Sequence, residues 1–218
     1  MWEGAADRII RESEDLPFIL AVRRRQILKR LSLGDFFVMK AAVLKKPGIL
    51  RLIEIADLDC SKGGVRIKVM ACGICSSDVK MVTGGHRALI YPRIPGHEIS
   101  GIIDQSRTKH FREGDRVQVA PGLRCTTCFQ CQKGADNQCK YREILGFTRD
   151  GGFAEYMTVP VTGPIIGSLT HLPKNISYAA ATLAEPLACC INAQEKIRIK
   201  SDECNLFAFK KIGVKITN

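Results

Sequence analysis

No stretch of this 218-residue chain approaches the roughly 20 consecutive apolar residues that a bilayer span requires, so a membrane-spanning helix is not expected. The start, Met1-Trp2-Glu3-Gly4-Ala5-Ala6-Asp7-Arg8, has neither the basic opening nor the apolar centre of a signal peptide. Together these absences lead to the expectation of a cytoplasmic protein with reduced thiols. The composition of a disordered or fibrous chain is also missing, since 45% hydrophobic and 25% charged residues are ordinary globular values. Acidic residues are the scarce charge: 22 stand against 33 basic ones, leaving a net charge of +11. Yet the basic residues are dispersed, apart from Arg23-Arg24-Arg25 and Lys29-Arg30, and no concentrated nucleic-acid footprint results. Solvated surface explains the charge better than nucleic acid does.

Cysteine, by contrast, is abundant, with ten in the chain. Four of them, Cys125, Cys128, Cys131 and Cys139, are spaced x2, x2, x7 in a turn-rich segment. That spacing can bring four thiolates to the corners of one tetrahedron, the geometry of a closed structural zinc site. Disulfides would need an oxidising compartment, for which nothing else argues. A redox Cys-x-x-Cys reading uses two thiols and leaves two unexplained.

Residues 1–38 differ in texture from the rest: Ile9, Ile10, Ile19, Leu20, Ile27, Leu28 and Leu31 fall at loosely helical spacing around Pro17. A helical N-terminal extension is expected there. From Met39 the pattern turns to strands at Lys40–Leu44, Leu52–Ala56, Val65–Ala71, Ile99–Ile103 and Arg116–Ala120, separated by turns such as Pro47-Gly48 and Lys62-Gly63-Gly64. The fold expected for residues 39–200 is therefore mainly β with some α, a partly open barrel.

A second cluster of chemistry follows the third strand. Cys75 lies in Ala71-Cys72-Gly73-Ile74-Cys75-Ser76-Ser77-Asp78, and His97-Glu98 comes about twenty residues later. Alone, His97 reads as an ordinary half-buried histidine. With Cys75 and a carboxylate it gives a metal three protein ligands and one open position, which is how catalytic zinc differs from structural zinc. Ser-Ser-Asp is also a common helix N-cap run.

The order Gly73-Ile74-Cys75-x-Ser77-Asp78, Gly96-His97-Glu98, Gly114-Asp115-Arg116-Val117, the four-cysteine lobe, Asp150-Gly151-Gly152-Phe153-Ala154-Glu155-Tyr156 and Glu185-Pro186-Leu187 resembles the zinc-containing medium-chain alcohol dehydrogenases. The likeness is greatest to their polyol and threonine dehydrogenase branch. It implies a GroES-like barrel with catalytic residues Cys75, Ser77, His97, Glu98 and Glu185. Cys75 and His97 would hold the catalytic zinc, with Glu98 or Glu185 as third ligand, and Cys125, Cys128, Cys131 and Cys139 would hold the structural zinc. Zinc polarises an alcohol oxygen, which eases hydride loss to NAD(P). Ser77 would pass the alcohol proton outward and Asp78 would orient a ligand.

Two departures stand out. Lys80 occupies the place where relatives have a histidine that completes the proton relay, so the relay would end at Ser77 and water or pass to His86. Cys72 is an additional cysteine, expected to be a buried thiol. Ile176–Ile199 reads as one helix capped by Ser177, with Ala180, Ala181, Leu183, Ala184, Leu187 and Ala188 as its packing face. After it a nicotinamide domain would open with Gly-x-Gly-x-x-Gly. The tail, 201–218, offers Gly213 alone, so a complete Rossmann domain is not expected and NAD(P) binding by this chain alone is not expected either. Two functions remain. One is the catalytic portion of a zinc-dependent alcohol or polyol dehydrogenase, acting on a small alcohol or polyol. The other is a non-enzymatic zinc module that forms homo- or hetero-oligomers with full-length relatives.

Overall fold

A computed structural model describes residues 38–56, 60, 64–160 and 168–197. The predicted helical extension before residue 38 and the tail at 201–218 lie outside the described residues.

Nine strands and four α-helices make the described fold mainly β, as the sequence pattern predicts. A hairpin of β1 (Val38–Lys46) and β2 (Ile49–Ala56) turns at Pro47-Gly48, and the Gly48 amide donates to Val82 O at 2.6 Å. The main sheet runs β8–β3–β4–β5–β9, built from β3 (Val65–Gly73), β4 (Glu98–Ser106), β5 (Arg116–Val119), β8 (Tyr156–Val159) and β9 (Leu169–His171). All of its ladders are antiparallel, so no Rossmann-type parallel sheet occurs among the described residues. Segment 153–155 sews hairpin to sheet: Phe153 O accepts from the Ala42 amide at 2.8 Å, and Glu155 O accepts from the Val69 amide at 2.9 Å. The result is a partly open barrel.

Alternation explains which residues fill it. Val65, Ile67, Val69 and Ala71 of β3 point inward at every second position, as do Val117 and Val119 of β5 and Met157 and Val159 of β8. All but Ala71 meet Ile99, Ile103, Leu145 and Leu169 in one core. Burying each such side chain contributes about 1.5–3 kcal/mol. A second cluster of Leu44, Met81, Val82 and Leu89 holds helix α1 (Ser76–Gly84) against the hairpin. The core therefore fixes both ends of the loop that carries Cys75.

The helix expected over Ile176–Ile199 is two helices, α3 (Tyr178–Ala181) and α4 (Ala184–Ile197). Ser177 does cap α3, its Oγ accepting from the Ala180 amide at 3.1 Å. The break at Thr182-Leu183 has a local cause. Pro186 has no amide hydrogen to give Thr182 O, so it suits only a first turn, and Thr182 Oγ1 folds back to Ala179 O at 2.8 Å. Ala181 is buried at 4% exposure, whereas Leu183 and Leu187 are 54% and 50% exposed, so the expected packing face is only partly used. No helix among the described residues is long and apolar enough to cross a membrane.

Candidate metal centres

Cys75 sits where β3 gives way to α1. It is the helix N-cap, with φ −86° and ψ 156°, so neither serine of the Ser76-Ser77 pair fills that place. Asp78, one turn in, reaches back with Oδ2 to the Cys75 amide at 2.9 Å. Its Oδ1 accepts from the Gly96 amide at 3.2 Å and lies 3.4 Å from His97 Nδ1. That last contact is close enough for an ion pair yet falls short of a hydrogen bond, and it leaves Nδ1 as a buried nitrogen with no other partner. One carboxylate, itself buried, thus ties together two loops that are twenty residues apart.

Glu98 opens β4, His97 directly precedes it, and both are buried. The ligand atoms of Cys75, His97 and Glu98 all lie within 4.8 Å of one another. Ser77 Oγ stands 3.2 Å from His97 Nε2, at the edge of this set. Glu185, in the first turn of α4, is not among the three clustered atoms and accepts from Cys189 Sγ at 3.3 Å. It is nevertheless near enough for its charge to act on Glu98.

The electrostatics of the set favour a cation. Burial pulls the His97 pKa down, but the Asp78 carboxylate and the Cys75 sulfur outweigh it and hold the imidazolium up to about 10. Cys75 is lowered, chiefly by its hydrogen bond to His97. Glu98 is raised, first by burial, with the His97 charge opposing and the Glu185 charge adding to the shift. A thiol, an imidazole and a carboxylate that trap a proton in this way are a borderline-soft donor set with one position left over, which fits Zn²⁺. Nδ1 faces Asp78, so Nε2, with Ser77 Oγ beside it at 3.2 Å, is the imidazole atom turned away from that carboxylate and suited to ligate.

Backbone shape keeps the set together. Gly96, directly before His97, has φ +93°, and a Cβ there would stand 2.6 Å from the Phe153 ring. A Cβ on Gly151 would come within 2.0 Å of Gly96 O, so the Asp150-Gly151-Gly152 motif exists to let two backbones touch beneath the histidine. Cys72 Sγ packs against Gly96 and Gly152, and burial raises its pKa well above the ordinary thiol value. It is not one of the clustered donors.

Sequence reasoning missed Phe147, whose ring lies 5.3 Å from that of His97 and 5.4 Å from that of His86. No periodicity marks it; only its place before the Asp150-Gly151-Gly152 motif could have drawn notice. The exposed His86 accepts from the Ala88 amide through Nδ1 at 3.2 Å, and Lys80 is exposed.

The four-cysteine lobe lies between β6 (Gly122–Leu123) and β7 (Glu143–Ile144), which pair at its base. Its sulfurs are 4.0 Å (Cys125 to Cys131), 3.6 Å (Cys128 to Cys131), 3.9 Å (Cys128 to Cys139) and 3.5 Å (Cys139 to Cys125) apart. A tetrahedron with metal–sulfur bonds of about 2.3 Å has edges of about 3.8 Å, so the cage already has the dimensions of a zinc site. Amide hydrogens point at the sulfurs: Cys128 N donates to Cys125 Sγ at 3.4 Å, the main cause of the Cys125 pKa falling to about 6. Thr126 turns the knuckle at φ 63°, an unusual angle for a β-branched residue. Short α2 (Phe129–Gln132) then presents Cys131.

The chain is similar to known proteins over about three quarters of its length. Residues 61–167 match the family described as the alcohol dehydrogenase GroES-like domain. The chain is 34% identical over 163 residues to D-altritol 5-dehydrogenase of Agrobacterium fabrum, covering 74% of this chain and 47% of that protein. It is 39% identical over 160 residues to galactitol 1-phosphate 5-dehydrogenase of Escherichia coli K12, covering 71% and 44%. The solved structure of an E. coli CFT073 alcohol dehydrogenase (rspB) complexed with NADH superposes with a TM-score of 0.65 at 34% identity, covering 73% and 45%. The chain thus spans about half the length of these relatives. Six motifs in order, an antiparallel GroES-like barrel and two preformed donor sets have one common explanation: the chain belongs to the zinc-containing medium-chain alcohol dehydrogenase family.

Proposed function

We propose that this chain supplies the metal and substrate side of a zinc-dependent alcohol or polyol dehydrogenase, with NAD(P) as hydride acceptor held by a domain outside residues 39–200. The observation that carries this reading is the convergence of Cys75, His97 and Glu98 donor atoms within 4.8 Å. Zinc bound there would polarise an alcohol oxygen at the open position. Cys75, His97 and Glu98 hold the metal, and Glu185 is the carboxylate available to exchange with Glu98. Asp78 fixes the His97 ring so that Nε2 faces inward. Ser77, beside Nε2, takes the alcohol proton and passes it to water, since His86 is engaged with Phe147 and Ala88. Cys125, Cys128, Cys131 and Cys139 hold a structural zinc. A polyol is the favoured substrate class, because the relatives named for D-altritol and galactitol 1-phosphate are polyol dehydrogenases.

A second reading, a zinc module that associates with full-length relatives, draws on the exposed apolar residues Leu183, just before α4, and Leu187 and Ile191 on it. Metal analysis of the purified chain tests the first reading. Two zinc ions in the wild type and one in Cys75→Ser are expected. One zinc in both proteins would sink the catalytic assignment. Co-elution with a full-length relative in a sizing experiment, absent for Leu187→Glu, would instead favour the second.

A further inference from the structure

Arg116, on β5, makes more contacts than a strand residue needs. Its Nη1 donates to Pro173 O and Lys174 O, both at 3.0 Å, and Nη2 donates to Ile176 O at 2.5 Å. Nε donates to Tyr178 Oη at 3.1 Å, while the guanidinium lies 4.6 Å from the centre of the Tyr178 ring. Ser100, on the neighbouring strand and fully buried, donates from Oγ to Tyr178 O at 2.7 Å. Ile102 pairs with Arg116, so the two anchors stand two rungs apart on adjacent strands. Everything they hold is the approach to α3 and its first residue.

α3 leads on to Glu185. Ala181, its last residue, and Thr182 after it are both buried, and α4 begins at Ala184 with Glu185 in its first turn. Ser100 follows Glu98 by two residues on β4, so both side chains leave the same face of that strand. The strand that presents one carboxylate therefore anchors the helix pair that presents the other.

We propose that Arg116 and Ser100 are positioning residues for Glu185: they clamp α3 to β4, which carries Glu98, and to its neighbour β5, and so set the separation of the two carboxylates at the metal site. This rests on the reading of Cys75, His97 and Glu98 as a zinc site. Arginine suits the task because its planar fork serves several carbonyls at once, which a lysine ammonium on a flexible stem does not. Loosening the clamp lets Glu185 drift, and the cost falls on metal affinity at that site alone. The effect expected from such an outer contact is about 10–100-fold in affinity.

The test is a Co²⁺ titration of the full chain against a competing chelator, read by the visible bands of the two sites, for Arg116→Lys and for Ser100→Ala. Weakening of about tenfold is expected at Cys75/His97/Glu98, with the four-cysteine lobe unchanged as an internal control. In a Glu185→Gln background the same substitutions should have little further effect. Ser100→Ala loses a single hydrogen bond, so it answers the question even if Arg116→Lys lowers the melting temperature. Equal weakening in both backgrounds, or two bound cations with no weakening, would overturn this inference alone. A wild type that binds only one cation would overturn the zinc-site reading and the clamp with it.

Discussion

Asp78 Oδ1 lies 3.4 Å from His97 Nδ1 while Asp78 Oδ2 holds the Cys75 amide at 2.9 Å, so one buried carboxylate orients two of the three clustered donors. Asp78→Asn keeps the size but removes the charge that opposes His97. Metal affinity at Cys75/His97/Glu98 should fall about 10–100-fold, with the cysteine lobe unaffected, in a chelator competition. Equal loss at both sites would mean general unfolding instead.

The pH dependence of that affinity has a defined sign. In the metal-free chain Asp78 and Cys75 overcome burial and hold the His97 pKa up to about 10, so a cation must displace a proton at any lower pH. Affinity should therefore rise with pH by at least about tenfold per unit between about pH 6 and 9, because each bound metal releases the His97 proton. His97→Gln should flatten that slope, and chelator competition at several pH values reads both.

In the lobe, burial and the neighbouring thiols push Cys131 up to about 12, whereas Cys125 sits at about 6. A metal bound in the lobe must expel the proton that Cys131 holds. Cys131→Ser should empty the lobe and leave one cation per chain, with faster amide exchange over residues 125–139. Retention of both cations would show that three thiolates suffice.

Gly151→Ala places a methyl group 2.0 Å from Gly96 O, and the backbone before His97 has to move. A loss of about 1–3 kcal/mol in stability is expected, read by denaturant unfolding, together with a weaker cation at Cys75/His97/Glu98. Gly122→Ala, which meets only Arg142 Cδ at 4.0 Å, is the control and should change stability by less than about 0.5 kcal/mol.

Much of this was legible along the chain. Alternation of Val65, Ile67 and Val69 marks β3, and Val117 and Val119 mark β5, because a half-buried strand repeats every second residue and needs no knowledge of its partners. The x2, x2, x7 cysteines close a tetrahedron through a short loop, so local geometry alone brings Cys125, Cys128, Cys131 and Cys139 together. Composition favours one continuous helix through Thr182-Leu183, and the missing amide of Pro186 breaks it into two.

Contacts between distant segments were the part no pattern could supply. Phe147 reaches His97 across fifty residues, Arg116 reaches Tyr178 across 62, and Gly151 meets Gly96 because the barrel brings their loops together. Spacing determines which donors this chain owns, since ligand type and short loops are written residue by residue. That Glu98, and not Glu185, clusters with Cys75 and His97 depends on how β4 and its neighbours pack, because the tertiary fold brings these segments together and no local stretch encodes that.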